Sequence, residues 1–192
     1  ILNSWLRRMT GGLDYDAMNA AAAQVPPNSE GVLLLPFGNG AERVLENRQL
    51  GAQLLGVQFN RHGLGHLFRA AQEGIAFSLN YGFDVMKSIG IQAHTIRAGH
   101  ANLFLSPVFS EIFANTTGAT VELYHTDGAT GAARGAGIGV GFYKNFEEAF
   151  IGLEKWKTIE PNSALQKIYQ EGYQHWLSEL SQSFLDNYIK KN

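Results

Sequence analysis

The sequence has 192 residues, of which 45% are hydrophobic and 17% are charged, values typical of a globular chain that can bury one substantial core. A formal net charge of −2, without a long run of Lys or Arg, argues against nucleic acid and against an anionic membrane surface as the main partner. The chain contains no Cys, which excludes disulfides and thiol chemistry, and it has no stretch of about 18 apolar residues that would cross a membrane. We therefore expect a single domain in a reducing compartment, the cytoplasm.

The start of the chain predicts two helices followed by a buried strand. Apolar residues recur at helical spacing over residues 1–9, and because this run begins without Met or a capping residue, we expect it to lie inside an element of a longer chain. A second helix begins at Asp14 or Asp16 and has to end before Pro26 and Pro27. The apolar run at 31–36 then has the length of a buried strand.

A polar loop follows this strand and contains Gly38, Glu42 and Arg43. Open α/β sheets place ligands beyond the carboxyl ends of their strands, so we regard these three residues as a candidate cleft loop. The alternative is that Glu42 and Arg43 form an ordinary solvated pair at the surface.

Helix and strand alternate along the rest of the chain, which predicts an α/β fold. Five glycines between residues 131 and 141 would cost a helix roughly 1 kcal/mol each relative to Ala, so close backbone packing against a sheet or a ligand has to offset them. From about residue 162 to 191, apolar residues at helical spacing predict a long amphipathic helix on the outside. The other predicted elements are a core helix at about 62–88, a strand at 95–97, a helix at 106–117 and a strand at 120–124.

The bend at residues 98–102 is the strongest functional candidate. Ala98, Gly99 and Ala101 leave little side-chain bulk, so a flat ligand could approach the main chain closely. The pair Ser106-Pro107 opens a helix just after the bend, and a helix N-terminus favours negative charge. These features suit a nucleotide, although an ordinary strand-to-helix turn would use the same small residues.

Several familiar sites do not fit the sequence. It contains no Gly-x-x-x-x-Gly-Lys-Ser/Thr motif, and its glycine run at 135–141 lacks the spacing of a dinucleotide fold, so neither a P-loop nor a Rossmann domain is predicted. His62 and His66 stand four residues apart without a third ligand, so we interpret them as capping or surface residues and expect no metal site. Without Cys or a Gly-x-Ser-x-Gly elbow, we find no nucleophile for a hydrolase.

Three stretches resemble the motifs of one known family. The first joins residues 52–57 (AQLLGV) to residues 66–73 (HLFRAAQE), with Gln72 in place of the usual aliphatic residue. The second is the bend 98–102 (AGHAN), which is similar to a Gly-Gly-Gly-Ala adenosine loop with His100 in place of a Gly. The third is residues 128–133 (GATGAA), which looks like a Gly-Ala-x-Gly-Ala-Ala helix start. In this order they resemble the FGGY carbohydrate kinases, specifically the C-terminal half of a xylulose-kinase-like member.

The resemblance implies an actin-like, ribonuclease-H-like ATPase fold in two domains, with sugar and nucleotide meeting in the cleft between them. Residues 1–192 would be the C-terminal, nucleotide-binding domain without its first part. The family's catalytic base is expected upstream of Ile1, so no catalytic residue is assigned in this chain. Because an imidazole can lie flat on an aromatic base, we expect the His100 ring to contact the purine, and the alternative is a His that faces solvent. Ser4 is implied to lie where relatives contact a nucleotide phosphate. The residues implied to line the adenosine are Gly99, His100, Ala101 and Asn102.

The implied activity is the transfer of the γ-phosphate of ATP to a ketose or polyol, with D-xylulose as the expected acceptor and Mg²⁺ bridging the phosphates. Another sugar is an alternative, and so is an actin-like or chaperone-like ATPase module that phosphorylates no sugar. The implied partners are the sugar and ATP, with no nucleic acid and no membrane, and a homodimer is left open. The 192-residue chain alone is expected to be inactive.

Overall fold

The computed structural model describes residues 1–189 as an alternation of helices and strands. The predicted end of the last helix at residues 190 and 191 lies outside the described residues. Within residues 1–189, no helix is both long enough and apolar enough to span a membrane. The helices are α1 (Leu2–Met9), α2 (Tyr15–Ala23), α3 (Leu64–Ser88), α4 (Pro107–Thr117), α5 (Gly128–Gly139), α6 (Phe146–Ala149) and α7 (Ser163–Ile189). The strands are β1 (Leu33–Leu35), β2 (Gln53–Leu55), β3 (Thr95–Gly99), β4 (Thr120–Tyr124) and β5 (Lys155–Ile159), and 3₁₀ turns occur at Pro27–Gly31, Arg43–Leu45 and Asn102–Leu105.

The strands of the described chain form two small sheets. In the first, β1 and β2 pair antiparallel, with Leu34 opposite Leu54. In the second, β4 is the central strand, parallel to β3 and antiparallel to β5. The β3–α4–β4 unit is the parallel crossover that the alternation of strand and helix predicts, so the α/β class is confirmed. Because β3 and β4 are parallel, the bend after β3 and the loop after β4 lie at the same edge of the sheet.

Helices α3, α4 and α7 enclose the main hydrophobic core, with β1 and β4 packed against them. Tyr169 and Trp176 of α7 are fully buried, so this helix covers the core with large aromatic side chains. The indole N–H of Trp176 donates a hydrogen bond to the Leu34 carbonyl at 3.0 Å, which ties α7 to β1 by a polar contact as well. Helices α1 and α2 cover a second, smaller core through Leu6 and Met18.

The helix that follows the bend begins and ends where the sequence predicts. The Ser106 hydroxyl accepts the backbone N–H of Phe109 at 3.2 Å, and Pro107 occupies the first helical position of α4. Gly118 ends the helix with a left-handed φ of 70°, a conformation that glycine adopts without a steric penalty. The first turn of α4 is therefore fixed directly after the bend.

The glycine-rich segment forms helix α5, but the close packing that we expected to offset its glycines is not observed. A Cβ added at Gly131, Gly135 or Gly139 would meet no atom within 4 Å, and α5 buries none of its residues. Only Gly137 is crowded, because its Cβ would lie 2.8 Å from the Tyr143 ring. Packing of α5 on a sheet is therefore not observed at these glycines, whereas packing on a ligand stays a prediction, since Gly128 and Gly131 line an open cleft.

A buried ion pair joins α3 to the turn before β1. The Nε of Arg69 lies 3.0 Å from the carboxylate of Glu73, and both side chains are almost fully buried. The same carboxylate accepts the backbone N–H of Asn28 at 2.8 Å and the hydroxyl of Ser29 at 2.7 Å. Burial raises the pKa of the Glu73 carboxyl to about 7, although these donors and Arg69 oppose the rise. The pair thereby holds Asn28 and Ser29 at left-handed φ values of 64° and 50°, which non-glycine residues rarely adopt.

Candidate functional site

The bend after β3 borders two open clefts. The first, called here the Asn102 cleft, has a volume of about 640 Å³. The second, called the Gly99 cleft, lies between the end of β3 and the start of α5 and has a volume of about 680 Å³. The polar residues lining the Asn102 cleft are Asn3, Asp14, Asp16, Asn19, Asn102 and Ser106. The Gly99 cleft is lined by Arg97, Gly99, Tyr124, Asp127, Gly128 and Phe146, among others.

The main chain of the bend is held by hydrogen bonds to the sheet. The backbone N–H of His100 donates to the Tyr124 carbonyl at 2.8 Å, which extends the β3–β4 pairing by one step. The N–H of Ala101 donates to the Gly99 carbonyl at 2.8 Å, so the chain turns sharply there. Asn102 then adopts a left-handed φ of 53°, which Asn tolerates better than most residues. These constraints place Asn102 at the edge of the first cleft.

The position that a side chain on Gly99 would take is filled by main chain. A Cβ on Gly99 would lie 2.4 Å from the carbonyl oxygen of Thr126 and 3.2 Å from the Cα of Asp127. Glycine is required here because the end of β3 approaches the loop before α5 too closely for any side chain. A ligand therefore cannot occupy the Cβ side of Gly99, although Gly99 also lines the open Gly99 cleft.

The His100 ring is stacked on a tryptophan of strand β5. Its centroid lies 3.7 Å from the Trp156 ring with an interplanar angle of 15°. One face of the imidazole is thus covered, and a purine could stack only on the opposite face. Among the described residues that line the Asn102 cleft, His100 is absent, so the structure does not bring its ring together with Asn102 at that cleft.

The first residues of the chain lie at the same cleft as Asn102. Ile1, which is exposed, and Asn3 both line the Asn102 cleft. Ser4 is not among the lining residues, and its half-buried hydroxyl accepts a hydrogen bond from Arg8 at 3.1 Å. The cleft thus brings together the first residues of the chain and the bend, the two segments to which the resemblance assigns nucleotide contacts. The catalytic base that the resemblance implies upstream of Ile1 stays a prediction.

The Asn102 cleft combines hydrogen-bonding side chains with apolar ones. The carboxylates of Asp14 and Asp16 can accept hydrogen bonds from hydroxyl or amino groups, while the apolar Ile75 and Leu103 can contact a flat ring. The same carboxylates disfavour a polyphosphate in their immediate neighbourhood by charge repulsion. Chemically, the cleft suits a neutral nucleoside better than a chain of phosphates.

A buried amide lies beneath this cleft and explains the departure from the family motif at Gln72. Its Nε2 donates to the Asn19 side chain at 3.1 Å, and its Oε1 accepts the Ser106 hydroxyl at 2.9 Å. Both partners line the Asn102 cleft, and Gln72 itself is buried. An aliphatic residue at this position would leave the two polar partners without their bond, so Gln72 links α2, α3 and the start of α4 under the cleft.

The candidate cleft loop lies apart from this cleft. Gly38 packs on Ala52, whose Cβ would be 3.0 Å from a Cβ on Gly38. The backbone N–H of Glu42 donates to the Arg48 carbonyl at 3.2 Å and closes the loop, while Arg43 begins a 3₁₀ turn and is exposed. None of the three is among the described residues that line the Asn102 or the Gly99 cleft.

Both histidines that we assigned to capping accept backbone hydrogen bonds. The Nδ1 of His62 accepts the N–H of Gln58 at 3.0 Å, and the Nδ1 of His66 accepts the N–H of Gly63 at 3.2 Å. In the part of the chain that the structure describes, no group of three or more His, Asp or Glu side chains is arranged to hold a metal ion.

Sequence reasoning missed several residues at the Asn102 cleft and beside the bend. Asp14 was identified only as a helix start, which it also is, since its carboxylate accepts the Ala17 N–H at 2.7 Å. Trp156 and Asn19 carried no motif, and their proximity to the bend depends on long-range packing. Only the helical spacing of residues 15–23 could have indicated that one face of α2 points toward α3.

Comparison with known proteins identifies the family. Residues 2–139 match the C-terminal domain of the FGGY family of carbohydrate kinases. The L-xylulose/3-keto-L-gulonate kinase of Escherichia coli is 30% identical over 177 residues, which are 90% of this chain and 34% of that protein. The xylulose kinase of Haemophilus influenzae is 31% identical over 180 residues, which are 90% of this chain and 35% of that protein. The ligand-bound xylulose kinase of Lactobacillus acidophilus has a TM-score of 0.80 at 19% identity, covering 98% of this chain and 39% of its own.

These matches confirm the predicted fold and show that the relatives are longer than this chain. The chain spans about a third of the length of the curated relatives it matches. The solved sugar kinases support the actin-like ATPase fold that the resemblance implies, and the structure contains the long C-terminal helix that the apolar spacing predicts. The chain belongs to the FGGY family of carbohydrate kinases and corresponds to their C-terminal domain.

Proposed function

We propose that this chain is the nucleotide-binding part of a cytoplasmic kinase that transfers the γ-phosphate of ATP to D-xylulose. Membership of the FGGY family supports sugar phosphorylation. The names of two relatives, a xylulose kinase and an L-xylulose/3-keto-L-gulonate kinase, support a ketose as the acceptor. The proposal is finer than the family, because identities near 30% leave room for a change of sugar.

The observation that carries the proposal is the Asn102 cleft, where the N-terminus of α1 meets the bend after β3. We assign the adenosine to this cleft. Asp14 and Asp16 would accept hydrogen bonds from the ribose hydroxyls or the purine amino group, and Asn102 would offer both a donor and an acceptor. Gly99, His100 and Ala101 would act mainly by giving the bend its shape, and Ser4 would lie toward the phosphates.

The phosphates and the sugar would lie outside the carboxylate-lined cleft. We assign Mg²⁺ to the phosphates of ATP, where it neutralises charge that develops during transfer. The catalytic base and the phosphate-binding hairpin of such a kinase are expected upstream of Ile1, in the part of the relatives that this chain does not span. The residues of this chain would bind and orient the nucleotide, which is how protein groups contribute most to phosphoryl transfer.

Two alternatives make different predictions for one assay. A complete kinase containing this chain should produce ADP only when sugar is present, and D-xylulose should give a higher kcat/KM than L-xylulose, ribulose or glycerol. A higher kcat/KM for another acceptor would identify a kinase for a different sugar or polyol. Hydrolysis of ATP that does not depend on any sugar would instead indicate an actin-like or chaperone-like ATPase module.

Asn102 tests the assignment of the adenosine. In the complete kinase, Asn102→Ala should raise the KM for ATP by about tenfold, as expected when a hydrogen bond of roughly 1.4 kcal/mol to the nucleotide is lost. Asn60→Ala is the matched control, since Asn60 is an exposed Asn in a loop that does not line the cleft. A KM for ATP that is equal in both variants would contradict the assignment.

The 192-residue chain alone should bind adenine nucleotide weakly and phosphorylate no sugar. Charge-assisted contacts to the phosphates contribute strongly to nucleotide affinity, and the Asn102 cleft offers carboxylates instead. Calorimetric titration with ATP and Mg²⁺, beside a coupled ADP-release assay with D-xylulose, measures both properties. Sugar-dependent turnover by the purified chain would show that a catalytic base lies within residues 1–192.

A further inference from the structure

The stack of His100 on Trp156 depends on an irregularity in strand β5. Lys155 lies opposite Tyr124, and Lys157 lies opposite Leu123, so Trp156 is an extra residue that has no partner on β4. Such a bulge changes the direction in which a strand presents its side chains. Here the bulged residue is the one whose ring contacts His100, which belongs to the bend on the far side of β4.

The turn that follows the bend with His100 borders an open space on each of two sides. The 3₁₀ turn Asn102–Leu105 borders the Asn102 cleft, and on its other side a second space of about 440 Å³ is lined by Phe104, Leu105 and Trp156. Leu105, the last residue of the turn, lines both spaces and is 56% exposed, whereas Leu103 and Phe104 in its middle pack on the main core. The first residue, Asn102, is exposed, so this core packing does not extend to the cleft edge of the turn.

Aromatic contacts hold the turn and the bend before it. In the middle of the turn, the Phe104 ring packs edge-on against Phe109 and Phe113, with centroid distances of 5.3 Å and 5.4 Å. On the other side the contact lies just before the turn, in the bend, where the His100 ring stacks on Trp156. Trp156 is 44% exposed, so the burial of its ring does not by itself explain a large aromatic residue at the bulge.

We infer that Trp156 is a positioning residue for nucleotide binding, which acts through His100 by fixing the bend and the turn Asn102–Leu105 at the edge of the Asn102 cleft. The inference rests on the proposed function, since it assumes that ATP is the ligand of that cleft. It differs from the expectation that His100 itself lies on the purine, because one face of the His100 ring stacks on Trp156. Trp156 touches no nucleotide in this arrangement.

The inference predicts that His100 and Trp156 support ATP binding only as a stacked pair, so removing either ring should have the same effect as removing both. Without Trp156, the bend would sample positions in which Asn102 and Leu103 no longer face a bound nucleoside, and part of the binding free energy would be spent on ordering them. An aromatic stack contributes about 1 kcal/mol, so removing one partner should weaken ATP binding by about fivefold. Because the phosphoryl groups are bound elsewhere, the rate of transfer in the saturated enzyme should change little.

The test measures steady-state kinetics of the complete kinase containing this chain. Trp156→Ala and His100→Ala should each raise the KM for ATP about fivefold, with kcat altered by less than about twofold and the KM for sugar unchanged. The double variant should be no worse than either single variant. Trp156→Phe should restore most of the affinity, because a phenyl ring can still stack on the imidazole.

His94→Ala is the matched control, because His94 is an exposed His that precedes the opposite end of β3. It should keep the KM of the unaltered enzyme. Thermal unfolding of every variant shows whether it is folded, and His100→Ala tests the inference even if the substitution at Trp156 prevents folding.

Three outcomes would overturn the inference while the proposed function stands. They are an unchanged KM for ATP in folded His100→Ala, an effect of His100→Ala without any effect of Trp156→Ala, and effects that multiply in the double variant. The second outcome would mean that His100 contacts the purine directly. An unaltered kinase that shows no ATP-dependent sugar phosphorylation would instead refute the proposed function, and the inference would fall with it.

Discussion

Helix α3 buries polar side chains and helix α5 is rich in glycine, and only in α3 do these unfavourable features have specific partners. Helix α3 buries ten residues, including the polar Arg69, Gln72 and Glu73, and each of these three is used by a neighbouring element. Helix α5 buries none, and most of its glycines face open space. In α3 these three buried polar side chains are held by specific partners. In α5, no contact within residues 1–189 depends on glycine at Gly131 or Gly135.

The largest effect should come from breaking the ion pair of α3. Glu73→Ala, measured at pH 8, should lower the free energy of unfolding by about 3–5 kcal/mol, because it leaves Arg69 as a buried charge without its partner. It also removes the acceptor for Asn28 and Ser29, which hold the turn before β1. Urea denaturation followed by circular dichroism measures the change.

Glu46→Ala is the control for this ion pair. Glu46 lies 3.2 Å from Arg48 at the surface, where such a pair contributes roughly 0–1 kcal/mol. Equal losses in the two variants would show that burial of the Arg69–Glu73 pair does not matter.

A smaller loss of stability should follow from replacing Gln72 of α3 by an aliphatic residue, the usual type at this position of the motif. Gln72→Leu removes the bonds to Asn19 and Ser106 and should cost about 1–3 kcal/mol, since two polar groups under the cleft lose a partner. Gln170→Leu on the exposed surface of α7 serves as the control and should stay within about 0.5 kcal/mol of the unaltered chain. A stabilising effect of Gln72→Leu would show that apolar burial outweighs the amide bonds.

Local sequence signals predicted most of the fold and little of the cleft. The starts of α2 and α4 were predicted because Asp14 and Ser106 cap their own helices, and a cap depends on residues only three positions apart. The strand at 120–124 followed from a local pattern as well, and the strand predicted at 95–97 extends to Gly99 in the structure. The bulge at Trp156 could not be predicted, because it exists only in the pairing of β5 with β4.

The same limit explains the partial success at the candidate site. The bend at residues 98–102 was recognised from its small residues, but which space Gly99 faces depends on the position of Thr126, 27 residues later. Likewise, the contact of His100 is set by a strand more than 50 residues away. Sequence patterns identify a turn, whereas the neighbours on either side of it are determined by the complete fold.

Helix α5 should respond to substitution in the direction opposite to α3. Gly131→Ala should raise the free energy of unfolding by about 1 kcal/mol, because Ala has the higher helix propensity and its Cβ meets nothing within 4 Å. Gly137→Ala is the matched control in the same helix, since its Cβ would press on the Tyr143 ring at 2.8 Å. If Gly131→Ala destabilises the chain, a neighbour that approaches α5 closely must be present.

The smallest expected change in stability concerns the sheet of β3, β4 and β5 and appears only at acidic pH. Glu122 on β4 accepts hydrogen bonds from Lys155 at 2.8 Å, Arg97 at 3.0 Å and the Tyr124 hydroxyl at 2.9 Å. These donors, Lys155 first, lower the pKa of the Glu122 carboxyl to about 2 from a usual value of 4.5. A carboxyl with a lowered pKa stabilises the folded chain above its unfolded pKa, and this contribution is lost as the pH falls through the folded one. We therefore expect the urea midpoint to decrease between pH 4.5 and pH 2, and Glu122→Gln to remove this part of the decrease while leaving the part that other carboxyls cause. If Glu122→Gln and the unaltered chain lose stability in parallel over that range, the three donors do not favour the ionised carboxylate.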